Sequence, residues 1–470
     1  MSTLPTYVND QIAEQIGEGY YGADLRWNLD STGPHAQAGV ITYDLSALSP
    51  ARAALARQAF GLYEAVLDID FRPVAGAADI RFADRGNSAN TRLLPDGDTI
   101  TGAVINIAAR WDGGGSTTGD YVFQTFLHEI GHALGLGHPG PYNETATYVT
   151  DTNDPDYGDN SNTFLNDSWQ VSVMSYFSQS ENTSIKADHA YLISPMVADW
   201  IALDAKYDLG GFTGNTTWGF NSTVPGTLYA HLARFANKTA FTIVDTGGND
   251  TVDFSGYGAD QRINLTAASY SDIGGLKGNM AISRGSLIEN AVGGAGSDTL
   301  LGNAEANGLR GGAGNDDLQG GAGTDRLHGG IGSDRLAGGV GADELIGFAG
   351  RDVLIGGGGR DTFVFGATSE SAGRTSDVIR PGGGAPAFEG AGAALGDLID
   401  LSGIDANTVR PGEQSFVFGE PGRGHVWCVE SGSRTVVYAD TGGGSLPEFR
   451  LDILDGDVRA ADYTVDDFIL

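Results

Sequence analysis

Hydrophobic residues in the first half of the chain follow two different spacings. Apolar positions three and four residues apart predict helices at residues 7–18, 50–69, 121–136 and 195–209. Alternating apolar positions predict strands at residues 39–45, 78–84 and 101–111. The pairs Ser49-Pro50 and Ser194-Pro195 are typical of helix starts. Helices mixed with strands predict an α+β domain, with a polar loop at 139–170 and an open edge strand around 103–109.

The second half changes to a period of nine residues. From Gly293 to Val364 it reads GGAGSDTLL, GNAEANGLR, GGAGNDDLQ, GGAGTDRLH, GGIGSDRLA, GGVGADELI, GFAGRDVLI and GGGGRDTFV. Six residues of each unit predict a glycine-permitted turn, and three predict a short strand with one inward apolar residue. Each unit would form half a coil, so that turns on one side are two units apart. The pattern is typical of the parallel β-roll of RTX proteins rather than of a flexible glycine-rich linker.

The turns of these repeats carry the oxygen atoms that Ca²⁺ prefers. An aspartate recurs at the sixth position of the unit, and turn carbonyls are expected to face inward beside it. The predicted calcium ligands are Gly294, Gly296, Asp298, Asn307, Gly311, Gly312, Ala313, Gly314, Asp316, Asp325, Asp334, Asp343, Asp352 and Asp361. Asn307 replaces the aspartate of its unit, and we expect a weaker site there because an amide oxygen carries less charge.

Composition and charge narrow the class of protein. The 470 residues include 73 glycines and a single cysteine, Cys428, which predicts no intramolecular disulfide. The 60 acidic and 27 basic residues give a net charge of −33, which argues against a nucleic-acid partner and fits a calcium-loaded protein. The N-terminal stretch lacks the basic and apolar regions of a Sec signal peptide, and no apolar run is long enough for a membrane span.

Three of the eight histidines lie in the stretch HEIGHALGLGH, at positions 128, 132 and 138. His128 and His132 are four residues apart, so a helix places both imidazoles on one face. His138 would lie roughly 15 Å from His128 along the axis if the helix continued. The helix must therefore end, and Gly135 can adopt the positive φ of a helix C-terminus. Three histidines leave one coordination position for water, as in catalytic zinc sites.

Two further residue types complete a hydrolytic apparatus. Glu129 follows the first histidine and can take a proton from the zinc-bound water. Downstream, residues 172–177 read SVMSYF. An extended histidine motif followed by a methionine turn is the metzincin pattern, in which Met174 would form an apolar floor under the three histidines.

These motifs belong to a larger set of segments that resembles one family. FLHEIGHALGLGHPG, SVMSY, GFNS, GGNDTVDFSG, GGLKGN and IENAVGG are similar to landmarks of the serralysins, which are bacterial zinc endopeptidases with RTX repeats. The resemblance implies one catalytic Zn²⁺ and several structural Ca²⁺ ions. It implies that Glu129 activates zinc-bound water to hydrolyse protein substrates. It also implies that Tyr176 ligates the resting zinc and swings away to stabilise the oxyanion.

The resemblance implies two domains with different functions along the chain. Residues 1–212 would form a metzincin zinc metalloprotease domain. Residues 213–470 would form the calcium-binding β-roll, followed by a β-sandwich-like C-terminal part that ends in a secretion signal at residues 467–470. The implied protein is a secreted, extracellular monomer whose partners are protein or peptide substrates, a type I ABC exporter and a proteinaceous inhibitor. Residues 380–396 look like an insertion.

The resemblance implies further calcium ligands between the two domains. One set consists of Phe212, Gly214, Thr216, Asp245, Gly247 and Asp250. A second set draws on Gly248, Asp250, Asp272, Gly275 and Glu289.

Two other interpretations stay open on the sequence alone. One is an RTX calcium-binding surface or adhesion protein whose metzincin domain is not proteolytic. The presence of Glu129 together with all three histidines favours the enzyme, because inactive homologues commonly lose the base. The other is a metzincin of narrow substrate range, which the sequence does not separate from a broad protease because loops build the specificity pocket.

Overall fold

The computed structural model of the chain contains two compact units. The first comprises Met1–Asp250 and Ala267–Leu287, and the second comprises Thr251–Thr266 and Ile288–Leu470. The boundary predicted after residue 212 lies inside the first unit, and the division into domains of different function stays a prediction. The structure describes residues 3–143, 145–393, 396–410, 412–442, 446–456 and 458–470.

The first unit contains the α-helices of the described residues. They are α1 (Asn9–Glu14), α2 (Pro50–Val66), α3 (Tyr121–Ala133) and α4 (Val197–Tyr207), with a π-helical turn at Gln15–Gly19 and 3-10 turns at Trp111–Gly114 and Leu228–Arg234. Ser49 caps α2 by accepting a hydrogen bond from the Arg52 amide, which confirms the predicted start. Among the described residues, none of the helices combines the length and the apolar character that a membrane crossing requires.

Helix α4 begins later than the pair Ser194-Pro195 predicts. Met196 precedes its first turn, and the Met196 amide donates a hydrogen bond to the Asp199 carboxylate at 2.7 Å. A carboxylate is favourable at this position because the first turn of a helix exposes unpaired N–H groups.

The sheet of the first unit has six strands. They are β1 (Arg26–Trp27), β2 (Val40–Asp44), β3 (Asp70–Pro73), β4 (Ile80–Ala83), β5 (Ala89–Asp96) and β6 (Thr99–Ile107). The order is β1-β6-β4-β2-β3 with parallel pairing, and β5 pairs antiparallel with β6. Helix α3 packs against β5 and β6.

The hydrophobic pattern does not predict β5, because Asn90, Thr91 and Arg92 form a polar run and Pro95 interrupts the segment. The prediction that residues 103–109 form an open edge is therefore wrong. Strand β6 is covered by β5 along its length, with Thr91 opposite Ile105. The edge on this side of the sheet is β5.

Short segments complete the first unit. Its remaining strands are Tyr191–Leu192, Thr217–Gly219, Thr239–Ile243, Tyr270–Ile273 and Leu276–Ile282. The described residues between 139 and 170 contain only turns, bends and isolated bridges, which confirms the predicted loop.

Parallel strands dominate the second unit, most of them from the repeats, and they fit a β-roll. They are Thr251–Asp253, Arg262–Asn264, Asn290–Val292, Thr299–Leu301, Gly308–Ala313, Asp317–Ala322, Arg326–Ile331, Arg335–Val340, Glu344–Ala349, Val353–Gly358 and Thr362–Val364. Leu309 pairs with Leu327 and Leu318 pairs with Leu336, which confirms that each unit is half a coil. Strands are longer than predicted because the first three residues of the following unit continue the pairing, as for Gly312 with Gly330.

One apolar residue per unit fills the interior of the roll, as predicted. The residues Leu300, Leu309, Leu318, Leu327, Leu336, Leu345, Leu354 and Phe363 are all 0% exposed. Such a core is thin, so hydrophobic burial alone contributes little stability per residue here.

Beyond the repeats, the two sheets of the roll continue in different ways. One adds Leu398–Asp400 and Phe468–Ile469 in parallel. The other adds Val378–Ile379 in parallel and then the antiparallel strands Phe449–Ile453, Thr435–Asp440 and His425–Glu430, with Val417–Phe418 at its end. The β-sandwich-like C-terminal part stays a prediction. Residues 394 and 395 of the predicted insertion lie outside the described residues.

Two glycines of the first unit should respond in opposite ways to alanine. We expect Gly61→Ala in α2 to stabilise the first unit by about 0.5–1 kcal/mol, because alanine has the higher helix propensity and nothing lies within 4 Å of its Cβ position. We expect Gly135→Ala to destabilise it, because φ is +90° there and the Leu25 carbonyl oxygen lies 2.0 Å from the Cβ position. Calorimetric unfolding midpoints that shift in the same direction for both variants would contradict this account.

Candidate metal sites

Helix α3 ends where a left-handed glycine turns the chain. Gly135 has a φ of 90°, and the Leu136 amide donates to the Gly131 carbonyl at 3.0 Å. This closure satisfies carbonyl groups that the helix end would otherwise leave unpaired. It also returns the chain, so that His138 joins the two histidines of the helix as the spacing predicts.

Each of the three histidines donates its Nδ1 hydrogen to a backbone carbonyl. The Nδ1···O distances are 2.8, 2.7 and 2.9 Å for His128 with Val173, His132 with Leu136 and His138 with Tyr142. A carbonyl oxygen can only accept a hydrogen bond, so each Nδ1 carries the proton of its neutral ring. Each Nε2 therefore presents a lone pair.

The three Nε2 atoms converge on one point. Nε2 of His138 lies 3.0 Å from Nε2 of His132 and 3.3 Å from Nε2 of His128. Lone pairs this close repel one another unless a cation lies among them. Tetrahedral zinc with Zn–N bonds of about 2.0–2.1 Å separates its ligands by roughly 3.3 Å. The three nitrogens thus fit a zinc ion, and no other His, Cys, Asp or Glu cluster of this geometry was found among the described residues.

Burial keeps these imidazoles in the neutral form that binds metal. It lowers the pKa of His128 to about 4, and burial together with the neighbouring His128 lowers the pKa of His132 to about 3. The pKa of His138 falls well below its ordinary value, mainly through burial and then through the two neighbouring histidines.

Glu129 lies beside the first histidine and is only 4% exposed. Burial raises its pKa to about 8, although a hydrogen bond from the Thr91 hydroxyl opposes the shift. Thr91 Oγ1 lies 2.7 Å from Oε2 of Glu129. A divalent cation nearby would favour the ionised carboxylate. The group can therefore take up and release a proton near neutral pH.

Met174 is fully buried against the helix that carries the histidines. Its Sδ lies 2.8 Å from the position that a Cβ at residue 131 would occupy, so Gly131 makes room for the sulfur. The ring of Tyr176 stands beside the cluster, with its centroid 4.7 Å from that of His138 and 5.9 Å from that of His128. The floor role of Met174 and the ligand and oxyanion roles of Tyr176 stay predictions.

Two buried aspartates hold the segments that supply the carbonyls, and neither is among the residues predicted from the sequence. Asp199 accepts the Val173 amide at 2.7 Å. Asp167 accepts the hydroxyl groups of Tyr142 at 3.0 Å and Ser175 at 2.7 Å. Burial raises the pKa of Asp199 to about 6 and that of Asp167 to about 7. An aspartate inside the apolar run VADWIAL is a signal for Asp199, whereas Asp167 lies in a polar loop with no local signal.

The repeat aspartates form two ladders inside the second unit. In each ladder the Oδ1 atom of one residue accepts the amide of the residue 18 positions earlier, as Asp316 does for Asp298 at 2.8 Å and Asp325 does for Asn307 at 2.8 Å. The Oδ2 atoms have no hydrogen-bond partner and are buried at Asp316, Asp325, Asp334, Asp343, Asp352, Asp361 and Asp377. Buried carboxylate oxygens without donors are costly unless cations neutralise them, so this arrangement fits Ca²⁺.

Two members of the ladders lie outside the repeats and are missing from the predicted ligands. Asp377 accepts the Asp352 amide at 2.8 Å, and Asp397 accepts the Asp361 amide at 2.9 Å. They follow 25 and 36 residues after their partners instead of 18, so the nine-residue period does not predict them. Each is nevertheless followed by two apolar residues, DVI and DLI, which match the Asp-x-apolar order of the repeat.

Asn307 differs from the aspartates because the protein satisfies its amide. Its Oδ1 accepts the Asn303 amide at 2.7 Å, and its Nδ2 donates to the Glu289 carbonyl at 3.0 Å. Backbone carbonyl groups of one turn stack on the turn two units away. The carbonyl oxygen of Gly294 lies 2.3 Å from the position that a Cβ at residue 312 would occupy. A weaker calcium site at Asn307 stays a prediction.

The structure brings together part of the set predicted around residues 212–250. Thr216 Oγ1 donates to Asp245 at 2.7 Å and lies 3.0 Å from Oδ1 of Asp250. Phe212 forms a bridge with Asp245, and Gly248 lies against the Gly214 carbonyl. Both this set and the second predicted set stay predictions as calcium sites.

In the second predicted set, Asp272 accepts the Gly278 amide at 2.7 Å within the first unit, and Glu289 belongs to the second unit.

Comparisons with known proteins cover both halves of the chain. Residues 208–420 match the family model "Peptidase M10 serralysin C terminal", and residues 106–200 match "Peptidase M66". A serralysin of Photorhabdus luminescens is 48% identical over 184 residues, which are 38% of this chain and 36% of that protein. The metallopeptidase AprA of Pseudomonas marginalis is 35% identical over 330 residues, which are 63% of this chain and 65% of that protein.

The chain thus spans about a third of the first of these relatives and just under two thirds of the second. A solution structure of the AlgE6R3 subunit of the Azotobacter vinelandii mannuronan C5-epimerase covers 38% of this chain and 80% of its own, at 26% identity and a TM-score of 0.23. That score is too low to carry an argument about the fold. The matches to the C-terminal family model and to the curated serralysins agree with the motifs of the sequence, and they support the assignment of the chain to the serralysin family.

Proposed function

We propose that the chain is a secreted, calcium-stabilised zinc endopeptidase that hydrolyses protein substrates. The observation that carries the proposal is the convergence of three unprotonated Nε2 atoms next to the buried carboxyl group of Glu129. Similarity to a metallopeptidase supports it. The alternative of a non-proteolytic domain is disfavoured because every group of the hydrolytic apparatus is present.

In this proposal the first unit provides a metzincin-type catalytic site. The three histidines would hold one zinc ion, which supplies Lewis-acid chemistry and lowers the pKa of a bound water. Glu129 would accept a proton from the attacking water and deliver it to the leaving amine. Tyr176 would donate a hydrogen bond to the developing oxyanion. An extended substrate would add as a strand to β5.

The second unit would bind Ca²⁺ along its two aspartate ladders. Seven buried Oδ2 atoms without partners support this part of the proposal. Because bound cations would remove the repulsion between stacked carboxylates, binding energy would become folding energy. Low cytosolic Ca²⁺ would then keep the chain unfolded for a type I exporter, and extracellular Ca²⁺ would complete its folding.

Replacing the proposed base should remove most of the proteolytic activity. Glu129→Ala should keep its zinc and lose about 10³-fold or more in kcat, because the proton acceptor is gone. Tyr176→Phe should lose less, about 10–10³-fold, because it removes one hydrogen-bond donor and leaves the proposed base in place. The measurement is casein hydrolysis at matched zinc content.

The zinc chelator 1,10-phenanthroline, added in millimolar Ca²⁺, gives an independent control and should abolish the activity of the parent. Casein hydrolysis at the parental rate by Glu129→Ala, or in the presence of the chelator, would contradict the proposed function.

Removing one carboxylate from a ladder should raise the Ca²⁺ concentration needed for folding. Asp316→Ala should shift the folding midpoint of the full chain upward, because it deletes a buried oxygen without a partner. Asn307→Asp should leave the midpoint unchanged or lower it. Asp317→Asn is the matched control, since Asp317 lies next in sequence but its side chain is 39% exposed. Circular dichroism during a Ca²⁺ titration measures the midpoints, and equal shifts for Asp316→Ala and Asp317→Asn would count against the ladders.

Protons should partly replace Ca²⁺ in the second unit. Burial and then neighbouring carboxyl groups raise the pKa of Asp316 and Asp361 to about 7, and the pKa of Asp377 rises to about 8. The unfolded chain loses these protons near the ordinary value of 3.8. The stability from these raised pKa values is therefore complete below about pH 4 and is lost as the pH rises through about 7–8.

Calcium-stripped protein should consequently show more β signal by circular dichroism at about pH 5 than at about pH 8. Less β signal at the lower pH would contradict this pH dependence.

A further inference from the structure

The contact between Thr91 and Glu129 joins the edge strand to the proposed catalytic carboxyl group. Thr91 Oγ1 lies 2.7 Å from Oε2 of Glu129 and 3.0 Å from the backbone oxygen of the same residue. The shorter distance is typical of a hydroxyl group that donates to a carboxylate. One oxygen of the carboxyl group is thereby held, and the other is left for chemistry.

The fold fixes the position of this hydroxyl group. Thr91 lies on β5, where it pairs with Ile105 of β6, and helix α3 packs against both strands. Threonine is branched at Cβ, which restricts its χ1 angle. Thr91 is half-buried and its strand neighbours Asn90 and Arg92 are exposed, so the side chain lies on the face of β5 that meets α3.

We propose that Thr91 is a positioning residue that holds the Glu129 carboxyl group in its productive orientation, an inference that rests on the proposed function. An ionised carboxylate accepts the hydroxyl hydrogen through Oε2. Thr91 therefore restrains the proposed base, and it links that base to the strand on which a peptide would add.

The test removes the hydroxyl group while preserving the shape of the side chain. Thr91→Val should lower kcat for a peptide substrate about 10–100-fold while KM changes by less than about twofold, because a misplaced base slows the chemical step and leaves binding intact. Thr91→Ser should recover most of the lost rate. Zinc content and the thermal midpoint should match those of the parent. Thr91→Ala serves as the second variant if the valine variant does not fold.

Thr101 provides the matched control on the neighbouring strand. Its hydroxyl donates to the Leu94 carbonyl at 2.7 Å, so Thr101→Val removes a comparable hydrogen bond without touching Glu129. We expect kcat of Thr101→Val to stay within about twofold of the parent, since that hydroxyl contacts no proposed catalytic group. In a Glu129→Ala background, Thr91→Val should have no further effect, because the two residues act as one unit.

The possible outcomes separate the inference from the function on which it rests. Full activity of Glu129→Ala would overturn the proposed function. An inactive Glu129→Ala together with parental kcat in Thr91→Val would overturn the positioning role alone. Equal losses in Thr91→Val and Thr101→Val, or a rise in KM without a fall in kcat, would indicate a general structural effect and also overturn it.

Discussion

Three hydrogen bonds from imidazole Nδ1 to backbone carbonyls are the constraint on which the zinc chemistry depends. Each bond fixes one tautomer and turns one Nε2 lone pair toward the others. The carbonyls belong to the turn after α3, the polar loop and the methionine turn, at Leu136, Tyr142 and Val173. The cluster is therefore a property of how three separate segments pack around one helix. Hydrolytic chemistry follows only once those segments are in place.

Two buried carboxyl groups maintain this packing. Asp199 accepts a hydrogen bond from the Val173 amide, and the Val173 carbonyl accepts one from Nδ1 of His128. Asp167 accepts a hydrogen bond from the Tyr142 hydroxyl, and the Tyr142 carbonyl accepts one from Nδ1 of His138. Burying a carboxyl group is expensive unless its oxygens are satisfied, and here the hydrogen bonds that offset the cost also fix the ligand-bearing segments. Loss of either aspartate would leave donors unpaired in the layer that supports the histidines.

The second unit applies the same physical rule with oxygen instead of nitrogen. The amides of each ladder donate to Oδ1, and at seven aspartates the buried Oδ2 atom has no hydrogen-bond donor. A thin core of one apolar residue per unit supplies little compensation. Cations of different hardness would satisfy the two sets of acceptors, zinc at imidazole nitrogen and calcium at carboxylate oxygen. Metal binding and folding would then be inseparable in the roll, whereas the histidine cluster is held by protein contacts.

The sequence by itself determined the register of the repeats, the buried leucines of the roll, the start of α2 and the end of α3. Each of these follows from local residue spacing, from a helix cap or from a glycine at a position with positive φ. It also determined which three histidines come together. Only the tertiary structure decided that β5 forms the edge, because a polar strand with a proline carries no periodic signal. It also decided that Thr91 meets Glu129, that Asp167 and Asp199 support the ligands, and that Asp377 and Asp397 extend the ladders. Those contacts join residues far apart in the chain, and their pairing is set by packing rather than by any local pattern.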